Sequence, residues 1–61
     1  MITYLIEHIY YGKTYWWNGI TWTTNGWEAI WYVRKIDAEN TLKYLSDIPD
    51  NVKVEEHMFS T

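Results

Sequence analysis

Residues 2–11 read I-T-Y-L-I-E-H-I-Y-Y, a run of β-branched and aromatic side chains that suits a pleated strand. Gly12-Lys13 follows as a turn, then T-Y-W-W, Asn18-Gly19 and I-T-W-T-T. Asn-Gly between two such runs predicts a two-residue hairpin loop, because both of its central residues must accept positive φ. That loop sets Trp17 opposite Ile20, Trp16 opposite Thr21, Tyr15 opposite Trp22 and Thr14 opposite Thr23. Opposed residues share a face. Tyr15, Trp17, Ile20 and Trp22 are therefore expected in the core, with Trp16 on the reverse side among Thr14, Thr21 and Thr23. A tight turn at Gly12-Lys13 adds the first strand, with Tyr10 opposite Tyr15 and His8 opposite Trp17. The core face gains Ile2, Tyr4 and Ile6, while Thr3, Leu5, Glu7, Ile9 and Tyr11 join Trp16 on the other. That second face is half apolar, so something must cover it or bind it.

The period then changes. Asn25 with Glu28 three residues later fits a capping box and predicts a short helix over 26–34, although A-I-W-Y-V also suits a strand. Asp37 is placed to cap a second helix, in which Ala38, Leu42 and Leu45 form an i, i+4, i+7 stripe and Lys43 follows Glu39 by four. Ser46–Asn51 is a loop of turn formers. V-K-V-E-E-H-M-F closes the pattern as an edge strand, or one bulged near Glu55-Glu56, where the alternation breaks. The pattern predicts a single small α+β domain spanning 1–61. Its expected architecture is a three- to four-stranded, mostly antiparallel sheet with one main helix on one face.

Composition adds a constraint. A chain of 61 residues without cysteine has neither disulfides nor a thiolate metal site to support a small core. Five Trp, six Tyr and one Phe supply most of the burial potential. A domain of this size hides only about 60% of its unfolded surface. Some rings must stay outside, and contiguous exposed aromatics mark contact surfaces.

The formal charge of −3 is uneven. Residues 37–61 hold Asp37, Glu39, Asp47, Asp50, Glu55 and Glu56 against Lys43 and Lys53. An acidic half opposes the clustered cations that nucleic acid requires. The start, M-I-T-Y-L-I-E-H, has no basic region, and Glu7 and His8 break its apolar run. The expectation is a cytoplasmic protein without a membrane partner.

Catalytic chemistry finds little material. Ser46 and Ser60 have no local triad partners, Glu55-Glu56 suits a solvated edge, and the glycines fall singly. Glu7-His8 and Glu56-His57 contain metal-ligating types, but adjacent strand residues point to opposite faces. The reading is a non-enzyme with no cofactor and no metal. Aromatic rings at this density also stack on sugars or single-stranded bases, with Lys13, Arg34 and Lys35 as phosphate contacts, which keeps a ligand-binding module as the alternative. Y-Y-G-K-T-Y-W-W-N-G-I-T-W-T-T-N-G-W superficially resembles the aromatic repeats of choline-binding cell-wall modules, but it occurs once.

Trp and Tyr are also enriched at interface hot spots. Trp16, Leu5, Ile9 and Tyr11 are the expected contact face, extended by Trp27, Trp31 and Tyr32. The order W-T-T-N-G-W-E-A-I-W-Y, K-I-D-A-E-N-T-L-K-Y-L, V-K-V-E-E-H, within residues 16–57, resembles small accessory proteins of bacteriophages and prophages. That resemblance implies a compact cytoplasmic protein that binds a host or phage protein, occluding or inhibiting a host enzyme or defence protein. A homo-oligomer is equally compatible with the aromatic surface.

Overall fold

The computed structural model describes residues 1–45 and 48–58. The elements run β1 (Ile2–Tyr10), β2 (Lys13–Trp17), β3 (Trp22–Thr23), a 3-10 turn (Gly26–Glu28), α1 (Lys35–Tyr44) and β4 (Val52–Met58). The strands form one antiparallel sheet in the order β3-β2-β1-β4. The fold is α+β, as the hydrophobic pattern predicts. The first strand is central, which explains its near-continuous apolar run: Thr3, Leu5, Ile6 and Glu7 are all buried, from both faces of the sheet.

Both hairpins differ from the sequence expectation in the same way. The first turn is Tyr11-Gly12, with φ of 48° and 78°, so His8 pairs with Tyr15 and Tyr10 with Lys13. The second loop takes four residues, 18–21, and pairs Trp17 with Trp22. Asn18 sets it: its side-chain oxygen accepts from the Ile20 and Thr21 N–H groups at 2.9 and 2.7 Å, and its own N–H donates to the Thr21 carbonyl at 3.0 Å. An asparagine that closes the backbone with its side chain needs the longer loop. Ile20 therefore sits in that loop at 87% exposure, not in the core. Each register moves by two residues. Since side chains alternate with period two, every strand residue keeps its predicted face.

The predicted helix over 26–34 is replaced by one 3-10 turn and an extended segment. Asn25 makes no side-chain capping bond, and the Glu28 carboxylate instead accepts from the Thr23 hydroxyl at 2.9 Å. Beyond the turn, the Ile30 N–H donates to the Trp17 carbonyl at 3.1 Å, and Tyr4 and Tyr32 exchange two backbone bonds of 2.9 Å. The Thr3 hydroxyl also donates to the Tyr32 carbonyl. The β-branched and aromatic run thus extends the sheet past the end of β2.

Asp37 lies in the first turn of α1 rather than at its cap, which is Arg34. There it favours the helix dipole and accepts from Arg34 Nε and Nη2 at 3.0 and 2.9 Å. This hydrogen bonding, with the attraction of the opposite charge, raises the Arg34 pKa above its ordinary value. Ala38 is fully buried and Leu42 and Leu45 half-buried, so the predicted stripe faces inward. The 30–32 segment and β4 both run antiparallel to β1, making α1 the crossover between two parallel segments. The right-handed sense of such crossovers puts α1 over the face of Ile6, where Ile6 and Ala38 are both at 0% exposure. β4 pairs with β1 without interruption from Met58 to Val52, so no bulge occurs at Glu55-Glu56.

Candidate functional site

The face opposite α1 carries Thr3, Leu5, Glu7 and Ile9 of β1, Trp16 of β2, and Lys53, Glu55 and His57 of β4. The 3-10 turn folds over this face. Gly26 lies against the Trp16 ring, where an added Cβ would stand 4.0 Å from the six-membered edge of the indole. The Trp31 indole N–H donates to the Gly26 carbonyl at 3.0 Å, tying the start of the turn to the segment that leaves it. The result is a cleft of about 370 Å³ lined by Leu5, Trp16, Gly26, Trp27, Trp31 and His57.

Leu5 is at 2% exposure, and Trp27 stands at 76% and Trp31 at 41%. The cleft thus grades from an enclosed aliphatic residue to open indoles. At one side sits a polar cluster. Glu7 Oε1 accepts both from Trp16 Nε1 at 2.8 Å and from His57 Nε2 at 2.7 Å. Glu7 is 7% exposed, and two donors on one oxygen are what makes a buried carboxylate tolerable. The pair fixes the Trp16 ring and the His57 ring together.

Four of the predicted contact residues meet here: Leu5, Trp16, Trp27 and Trp31. Their roles differ. Leu5 lines the cleft but is almost wholly enclosed, and Trp16 is half-buried and held by Glu7. Trp27 is the most open ring of the group. Ile9 and Tyr11 are exposed at the far end of the sheet, beside a separate hollow of about 360 Å³ that also involves His8, Tyr10, Pro49, Asp50 and Asn51. They do not join the tryptophan cleft.

His57 and Glu7 belong to this site, and sequence reasoning left them out. The signal was in the two Glu-His pairs: one member from each faces the same side once β1 and β4 align in the observed register. Among the described residues, no group of three or more His, Asp or Glu gathers at metal-binding distance.

The α1 side of the sheet has an aromatic group of its own. His8 lies 5.9, 5.8 and 5.5 Å from the rings of Tyr10, Tyr15 and Trp22, and Trp17 meets Trp22 edge-on at 5.4 Å. His8 Nδ1 carries its proton, because it lies 2.8 Å from the Asp50 carbonyl, which can only accept. This group knits β1, β2 and β3 together.

No protein-family model, curated protein or solved structure matches this chain.

Proposed function

We propose that this chain is a binding protein that engages another protein through the tryptophan cleft. The observation that carries the reading is Trp27, an indole at 76% exposure beside an apolar cleft. Leaving such a ring in water forfeits burial worth about 1.5–3 kcal/mol, which a partner's apolar side chain seated against Trp27 and Trp31 would recover. The half-buried Trp16 and the enclosed Leu5 give that side chain a firm wall to meet. The resemblance to phage accessory proteins supplies the setting: the partner is a host enzyme or defence protein, and binding acts by occlusion.

The cleft supports nucleic acid and glycan less well. Arg34 is taken up by Asp37, Lys53 lies 3.1 Å from Glu55, and no Lys or Arg lines the cleft. The lining is dominated by carbon, whereas a sugar site needs several convergent polar groups.

The test is capture from bacterial lysate on the immobilised protein, beside a W27A variant. A retained protein that W27A binds roughly 30-fold more weakly, about 2 kcal/mol at a hot spot, supports the reading, provided W27A keeps the wild-type circular dichroism. Equal retention by both forms removes Trp27 from the interface. Titration of indole fluorescence with single-stranded oligonucleotides and oligosaccharides runs in parallel, and a saturable response to either replaces the protein reading.

A further inference from the structure

We propose that two copies of this chain join edge to edge through β4, antiparallel about a two-fold axis at Val54. The inference is independent of the tryptophan cleft and rests on strand register.

β4 is the long open edge of the sheet; the opposite edge strand, β3, has two residues. The direction of its backbone groups follows from Tyr4. Tyr4 spends its N–H and C=O on Tyr32, on the side of β1 away from β4. The pair Tyr4–Glu56 is therefore a non-hydrogen-bonded one, and the Glu56 backbone groups point outward. By alternation, those of Val52, Val54 and Met58 do the same. Among the described residues, no hydrogen bond meets the outward groups of Val52, Val54 and Glu56. The strand holds no proline or bulge to deter pairing.

A two-fold axis perpendicular to the sheet keeps faces matched, so only alternate registers are open. An axis at Lys53 opposes two lysines, one at Glu55 two carboxylates, and one at Glu56 two more. An axis at Val54 sets Val54 against its own copy as a hydrogen-bonded pair. It also sets Lys53 against the second copy's Glu55, twice, as non-hydrogen-bonded pairs where side chains approach closest. Val52 then bonds the second copy's Glu56. Lysine on an open edge usually discourages pairing, but in this register a carboxylate meets it. Self-pairing joins the two sheets into one of eight strands. It also enlarges a thin core, since Leu5, Ile6 and Ala38 are the fully enclosed apolar residues among those described.

Sedimentation velocity across a concentration series tests the proposal, with hydrogen exchange on the same samples. Wild type is expected to dimerise. E55K and K53E, each of which opposes like charges, are expected to weaken the dimer at least tenfold, and the double variant K53E/E55K to restore it. E55K is the cleaner single change, because Lys53 lies across from the buried Glu7. The Val52, Val54 and Glu56 amides should slow as concentration rises. A wild type that stays monomeric at high micromolar concentration overturns the proposal. So does a dimer in which those three amides exchange freely, or one indifferent to both single reversals. W27A should dimerise as wild type does, so loss of partner binding and loss of self-pairing are separately visible.

Discussion

Trp16 shows how a single side chain can serve two ends of a site. As a ring off the expected core face, it reads from sequence as available to a partner. In the structure its indole N–H donates to the buried Glu7 and its ring lies against Gly26. Truncation then leaves a void and strips one of two donors from an enclosed carboxylate. W16A is expected to lose about 3 kcal/mol of stability, the range of core aromatic truncation, measured by urea unfolding. W16F separates the parts. It keeps most of the ring but no donor, and should lose about 1.5 kcal/mol or more, the scale of a hydrogen bond to a charged group. If W16F is as stable as wild type, the Glu7 bond does not support the fold. Trp27 is the converse case: no backbone tie is needed to explain its position, and W27A should unfold at the wild-type urea concentration.

At the scale of elements, the hairpins test the backbone. Gly12 has φ of +78° with open space where a Cβ would go, whereas Gly19 has φ of +98° and an added Cβ would meet the Ile30 side chain at 3.0 Å. G12A should lose about 1 kcal/mol, the left-handed penalty alone, and G19A more, with the difference read from paired thermal melts. Equal losses would mean that Ile30 gives way freely. These turns also mark where the sequence is legible. Alternation fixed which residues share a face, because each misplaced turn moved its register by two and left parity unchanged. It did not fix which face was more deeply buried. Leu5 is buried beside Trp16 and the 3-10 turn, and Glu7 beneath its bonds to Trp16 and His57, an arrangement formed by residues far apart in the chain. The capping pattern at Asn25 and Glu28 failed for a related reason. Backbone partners on β1 and β2 were available to Ile30 and Tyr32, and sheet pairing over that distance outweighs a local helix signal. Of the cleft, the tryptophans stood out in the sequence, while the Glu7–His57 contact needed the β1–β4 register.

For the whole molecule, the scarcity of fully enclosed apolar residues predicts a low margin of stability, near the bottom of the usual 5–15 kcal/mol. Binding should therefore be conspicuous in melting curves. A partner at a hundred times its dissociation constant adds about 2.7 kcal/mol, worth roughly 10 °C or more in a domain this small. A captured partner that leaves the melting temperature unmoved is not bound to the folded state. Among the described residues no helix is long and apolar enough to cross a membrane.

The pairing of β1 with β4, from Ile2–Met58 to His8–Val52, also governs when the fold can form. The central strand is made before the strand that completes it on one side, with β2, β3 and α1 between them. Until residues 52–58 leave the ribosome, the β4 side of β1 is open, and the backbone groups of Thr3, Leu5 and Glu7 that face it have no strand partner. Such a high contact order slows folding relative to a helical chain of equal length. A nascent chain stalled before Val52 should be sensitive to protease throughout, and resistance should arrive in one step as β4 emerges.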